Sequence, residues 1–234
     1  MTRRGHGWPV IGALRRFWAD DKGLSVFSAL LLVVAFVLTP LVPPGSGRSP
    51  VVAVVYALLL VSGVLALTES RLARLLLIPV AVVTLAVDLA SWVLPVADTW
   101  VLATSLLSLL LLLIVVLGQT LRSGPITPHR IQGAVAAYLL LGVIWAHAYS
   151  LIALLRPGAF SGPVDPAGGP GAWLYFSFVT LTTVGYGDVL PVHPMARSLT
   201  MLEAVVGPLY LAILVARLVS LAVGTAGQAG PDGR

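Results

Sequence analysis

Cysteine is absent, and a single lysine, Lys22, stands among thirteen arginines. Without thiols there are no disulfides, no thiol chemistry and no cysteine metal sites. Charge is also scarce: Asp, Glu, Lys and Arg make up 10% of the 234 residues, where a soluble domain carries about 25%. No Walker loop, nucleophile triad or zinc spacing occurs, so the residues give no enzyme and no resident cofactor. What the chain has instead is apolar: 58% of its residues are hydrophobic and its mean hydropathy is +0.99. Too few charges exist to cover a water-facing surface, which predicts an all-α, multi-pass membrane protein with lipid as its main solvent. The net charge of +5 then reports orientation rather than a nucleic-acid partner.

Apolar stretches over 24–42, 51–67, 75–94, 101–118, 131–155 and 195–223 predict six transmembrane helices. Turn residues separate them: Pro43, Pro44, Gly45, Ser46 and Gly47 after the first, Pro95 after the third, and Ser123, Gly124, Pro125 and Pro128 after the fourth. The first run is long for a cleavable signal, and the Pro-Pro-Gly after it is a poor processing site. A cytoplasmic N-terminus puts Arg3, Arg4, Arg15, Arg16, Lys22, Arg71, Arg74, Arg122, Arg130, Arg217 and Arg234 inside, against Arg48, Arg156 and Arg197 outside. That asymmetry predicts cytoplasmic N- and C-termini in a plasma-membrane protein. Residues 8–18 space Trp8, Ile11, Leu14, Phe17 and Trp18 as an interfacial helix would, with Arg15 and Arg16 beside them; a partly disordered basic leader fits them equally.

The outer segment between the fifth and sixth runs holds the chemistry. Pro163, Pro166 and Pro170 mark an irregular turret, and AWLYFSFVTLTT (172–183) then reads as a short apolar helix. At about 1.5 Å per residue it enters a bilayer without crossing it. The chain must turn back, at Thr182-Thr183-Val184-Gly185-Tyr186-Gly187-Asp188, and emerge at Pro191 and Pro194. Non-helical backbone survives at such depth only inside protein or along a water-filled path, which predicts a pore. Gly185 and Gly187 reach positive φ without steric cost, so consecutive carbonyls can face one axis and replace the water shell of a cation. Val184 and Tyr186 then point away from that axis, and Thr183 adds a hydroxyl at the inner end. The short helix aims its negative C-terminal pole at the membrane centre. One loop makes one wall, so four copies must assemble.

TTVGYGD after a short helix and between two spans resembles the pore of the potassium channels. The likeness covers roughly 131–223 and is weak before that. It implies K⁺ coordination at Thr183, Val184, Gly185 and Tyr186, filter support from Thr182, Gly187 and Asp188, and a bend of the inner helix at Gly207, next to Pro208. Two helix positions that are commonly tryptophan in the family are Tyr175 and Phe176 here. Tyr175 can donate to Asp188, while Phe176 has no donor for Tyr186, which predicts a brace looser on one side. Val179 stands where some members place a glutamate.

Six spans suggest the voltage-gated layout, but the fourth has no arginine or lysine. A sensor moves charge at about 2.3 kcal/mol per charge per 100 mV, and a neutral helix moves none. Conventional voltage gating is not expected. Pro125 and Pro128 break the link to the fifth span, and the residues after Val223 are too few for a ligand-sensing domain. Glu203, one turn before Gly207, is a gating candidate or a buried hydrogen-bond partner. Asp88 is expected to meet Ser105 or Ser108. His147 and His193 fit packing or surface roles better than metal binding.

The resulting organisation is a cytoplasmic segment at 1–23, a non-sensing four-helix region at 24–121, a pore domain at 131–223 and a cytoplasmic tail at 224–234. The function expected is a homotetrameric K⁺-selective channel whose partners are its own copies, membrane lipid and an unidentified regulator. The alternatives are a weakly selective cation channel and a non-conducting regulatory or scaffold subunit.

Overall fold

The structure is a computed structural model that describes residues 22–41, 50–67, 71–120, 128–162 and 170–228. The interfacial segment at 8–18, the loops at 42–49 and 121–127, the turret prolines Pro163 and Pro166 and the end of the tail lie outside the described residues.

Helix α1 (Lys22–Val33) widens into a π turn at Val34–Leu38 and tightens into a 3₁₀ turn at Thr39–Leu41. Pro40 has no amide hydrogen with which to continue the ladder, and Thr39 Oγ1 donates back to the Val34 carbonyl at 2.6 Å. Helices α2 (Pro50–Leu67), α3 (Arg71–Ala90), α4 (Asp98–Thr120) and α5 (Pro128–Leu155) follow. A two-residue strand β1 (Phe160–Ser161), the short helix α6 (Pro170–Leu181), strand β2 (Leu190–Pro191) and the long helix α7 (Pro194–Gln228) complete the order. The helices do not coincide with the apolar runs. α3 starts at Arg71 instead of 75 and stops at Ala90 instead of 94, beyond which turn hydrogen bonds such as Leu94 N–H to the Ala90 carbonyl (2.7 Å) carry the chain to Pro95.

Among the described residues three helices are long and apolar enough to cross a membrane, Asp98–Thr120, Arg130–Leu155 and Pro194–Arg217. Ser25–Leu38, Leu75–Ala90 and Gly171–Leu181 are shorter apolar helices. The protein is a largely helical membrane protein.

One core runs through the front helices and the segment at 131–223. Phe27 and Leu31 of α1, Leu59 of α2, Leu109, Leu112 and Val116 of α4, and Ala136, Ala137 and Leu140 of α5 are buried together, with Trp173 and Phe176 of α6. α1, α4 and α6 all pack along α5. Most polar side chains in this apolar setting find partners, the buried Trp145 indole nitrogen of α5 being an exception. Ser25 Oγ donates to Gln132 Oε1 of α5 at 2.6 Å. The Tyr56 hydroxyl donates to the Ser105 carbonyl at 2.8 Å and meets Ser108 Oγ at 3.2 Å. Asp88, expected beside these two serines, lies in electrostatic reach of the same Tyr56 hydroxyl.

α7 is the exception to this burial. Only 11% of its apolar window is covered by its own chain, against 44% for α5, so most of its surface lacks a partner within one copy.

Leu112 is 1% exposed among α1, α2 and α4. Leu112→Ala should destabilise the fold by about 2–5 kcal/mol. A lowered unfolding midpoint in detergent micelles is the expected outcome, and an unchanged one contradicts the shared core.

Candidate functional site

The turn into the TTVGYGD segment is made by backbone conformation. α6 begins at Pro170, whose fixed φ suits a first helical position, and ends at Leu181. It starts and stops two residues before the expected 172–183, because Thr183 has a φ of 61° and cannot continue a right-handed helix. Positive φ recurs at every second residue, Thr183 (61°), Gly185 (59°) and Gly187 (76°). Such alternation is what allows consecutive carbonyls to be turned to one side. At the glycines it has no steric cost, whereas the β-branched Thr183 holds strain of about 1–3 kcal/mol.

The amides of this segment close the end of α6. Thr182 N–H donates to the Phe178 carbonyl (3.0 Å), Thr183 N–H to Thr180 (2.9 Å), and Val184 and Gly185 both to Val179 (2.9 and 3.2 Å). Thr182 Oγ1 donates to the Phe178 carbonyl at 2.6 Å. The carbonyls that sequence reasoning leaves as a free negative pole are therefore partly engaged by the loop itself.

The far end of the loop is fastened to the chain that follows α5. β1 and β2 pair antiparallel, Phe160 opposite Pro191 and Ser161 opposite Leu190. The Ala159 carbonyl accepts from the amides of Val192 (2.8 Å) and His193 (3.1 Å). At Gly162, with φ 121°, an added Cβ would stand 2.1 Å from the Asp188 carbonyl, so only glycine permits this approach. The Tyr175 hydroxyl donates to Asp188 Oδ2 at 2.7 Å, and Asp188 Oδ1 accepts from the Val189 amide at 3.0 Å. Bonding to Asp188 holds the Tyr175 phenol above its ordinary pKa, because the carboxylate favours the protonated form. Tyr175 also stacks on Tyr186, centroids 6.3 Å apart and planes 1° from parallel.

Phe176 does something the sequence does not reveal. It is buried in a ring cluster, 4.9 Å from Tyr149 and 5.7 Å from Phe160, with Trp173 4.9 Å from Phe160. Its loss of a donor is matched by edge-to-face packing, which fixes α6 against α5 and the turret.

The inner face of α6 meets α7 at two levels. Ser177 Oγ lies 2.6 Å from Glu203 Oε1 and 2.8 Å from the Gly142 carbonyl of α5, and the Tyr149 hydroxyl donates to Glu203 Oε2. One turn further, a Cβ on Gly207 would lie 2.0 Å from the Leu181 carbonyl. Gly207 is thus a close-contact position inside a helix that continues through Pro208. Sequence reasoning singles out Glu203 and Gly207 but misses Ser177, Tyr149, Gly162 and Phe160, whose partners lie on other elements of the fold. The one local signal was a serine within an otherwise apolar short helix.

The two histidines have backbone partners. His147 Nδ1 donates to the Val143 carbonyl at 2.8 Å, and His193 Nδ1 accepts from the Met195 amide at 3.2 Å. Among the described residues no three His, Cys, Asp or Glu side chains form a metal-binding group.

Residues 134–223, from α5 through α7, match the family model described as "Ion channel". The chain is 35% identical over 80 residues to inward rectifier potassium channel Kirbac3.1 of Paramagnetospirillum magnetotacticum, covering 32% of this chain and 24% of that protein. It is 34% identical over 84 residues to two pore potassium channel c of Oryza sativa subsp. japonica, covering 36% of this chain and 17% of that one. This similarity is to channels, not to enzymes. The chain spans about a quarter or less of the length of these relatives. No solved structure matches it significantly.

Gly207→Ala and Gly162→Ala each place a methyl carbon against a backbone carbonyl that has little room to retreat. Each should cost about 1–3 kcal/mol and lower the thermal midpoint of the purified protein. Full wild-type stability in either variant contradicts the close approach.

Proposed function

We propose that the chain is one subunit of a homotetrameric, potassium-selective pore. Thr183, Val184, Gly185 and Tyr186 supply the oxygens that replace the water shed by K⁺, and Thr182, Gly187, Asp188, Tyr175 and Phe176 support them. The observation that carries the reading is the left-handed φ at Thr183, Gly185 and Gly187, on a loop that follows a helix too short to cross the bilayer. Residues are held in sparsely populated backbone regions where surroundings over-determine them, and such regions cluster at functional sites.

The need for other copies is supported by what one copy leaves bare. Val184 is 52% and Tyr186 71% exposed, and Met201, Leu202, Val205, Leu209 and Ile213 form an uncovered apolar surface on α7. Four copies around an axis would bury these faces and close the cage. Membrane lipid covers the remainder. The similarity to two proteins named as potassium channels supports K⁺ as the permeant ion. No cofactor is required for passive conduction of this kind.

The reading includes six spans, cytoplasmic termini and a plasma-membrane location. The front helices are a non-sensing region, since α4 has only Asp98 as a charged residue, in its first turn. Gating then lies with the Gly207-Pro208 region, Glu203, the loop itself or a regulatory partner.

Purified chain in liposomes should pass K⁺ down its gradient, with reversal potentials that follow K⁺ rather than Na⁺ in mixed solutions. Gly185→Ala, which puts a Cβ on a residue at φ 59°, should abolish the flux. Equal permeation of Na⁺ would make it a weakly selective channel, and no flux from a tetrameric preparation would make it a scaffold.

A further inference from the structure

Glu203 is fully buried, and so are the two side chains that touch it, Tyr149 and Ser177. Hydrogen counting fixes what it is doing there. Ser177 Oγ lies within bonding distance of both the Gly142 carbonyl (2.8 Å) and Glu203 Oε1 (2.6 Å). A carbonyl only accepts, and a serine hydroxyl has one hydrogen. When that hydrogen goes to Gly142, the contact with Glu203 is a bond only if Oε1 donates. Tyr149, donating to Oε2, occupies the other oxygen as an acceptor. One arrangement satisfies all three contacts: Oε1–H to Ser177, Ser177 to the Gly142 carbonyl, and Tyr149 to Oε2.

Building on the pore reading above, we propose that Glu203 is a neutral, proton-donating carboxylic acid whose hydrogen bond through Ser177 positions α6 behind the filter, so that its deprotonation makes conduction pH-dependent. The groups facing it are consistent with an uncharged site. α5 presents Tyr149 and, in electrostatic reach, Tyr138; α6 presents Ser177; and on α7 Thr200 stands beside the Tyr149 hydroxyl. Among the described residues no lysine, arginine or histidine pairs with the carboxyl.

The sign of the effect follows from the relay. With the proton present, α7, α6 and α5 are joined through Glu203, Ser177 and Gly142. Raising the pH removes the proton, the Ser177 hydrogen turns to the carboxylate, and the α6 to α5 bond is lost. Ser177 is two residues before Val179, whose carbonyl holds the amides of Val184 and Gly185, so the change is delivered to the loop. Glu203 is a positioning residue and touches no ion.

The test uses the full chain in liposomes with two readouts, K⁺ flux and the infrared difference between wild type and Glu203→Gln across pH. The expected result is a protonated-carboxyl C=O band, absent from the variant, that fades with rising pH as wild-type flux falls roughly fivefold or more, the factor set by one hydrogen bond. Glu203→Gln, whose amide still donates to Ser177 and accepts from Tyr149, should conduct without that pH response. A band missing at every pH, or a variant that keeps the wild-type pH profile, overturns the proposal. If Glu203→Gln fails to fold, a shift of the same band in Ser177→Ala, which removes the acceptor of the proton, gives the assignment. Because the band is read without conduction, absence of K⁺ flux in every sample would overturn the pore reading and leave the proton on Glu203 decided separately.

Discussion

Two parallel helices can lie close along several turns only if the residues between them are small or polar enough to meet backbone, and α6 and α7 satisfy that condition at two successive levels. Ser177 reaches Glu203, and four residues later on each helix the Leu181 carbonyl comes against the bare Cα of Gly207. Without the side-chain contact α6 could rotate, and without the glycine it could not approach. The position of α6 sets the Val179 carbonyl, and that carbonyl holds the first amides of the non-helical loop. Backbone geometry at the candidate ion site is therefore inherited from a helix crossing rather than made locally.

The front helices share this dependence. α1 packs along α5, and its Phe36 ring lies 5.0 Å from Phe178 of α6. Thr39, in the 3₁₀ turn that ends α1, stands near Gly171 at the start of α6. These helices are part of the core around α5, and α4 carries no basic residue. Their polar contacts, such as Tyr56 with Ser105 and Ser108, tie them together.

What was legible in the sequence was what local chemistry determines. Apolar runs and prolines marked the helices to within a few residues. The glycine pair at 185 and 187 announced left-handed backbone, and the Tyr175 to Asp188 bond was expected from the donor and acceptor on those two side chains. Thr183 was legible only as a hydroxyl, because threonine gives no hint of positive φ; the amides of residues 182–185 are tied instead to the end of α6. Phe176 was read by what it lacks, and its packing with Tyr149 and Phe160 depends on residues brought in from two other elements. Gly162 was not legible at all, because its close approach to the Asp188 carbonyl depends on a residue 26 positions away. Long-range partners of this kind leave no periodicity to detect.

Pro208 acquires its meaning from its position just below the Gly207 crossing. Proline has no amide hydrogen to give the Ala204 carbonyl, so the stiffness of α7 falls one residue after its attachment to α6 ends. Glu203 and Gly207 attach α7 to α6, and beyond Pro208 the Tyr210 hydroxyl donates to the Ala134 carbonyl of α5 at 2.8 Å. Pro208 therefore interrupts the ladder of α7 between two separate mounts, Gly207 on α6 and Tyr210 on α5, so any change of angle there is shared by both neighbours.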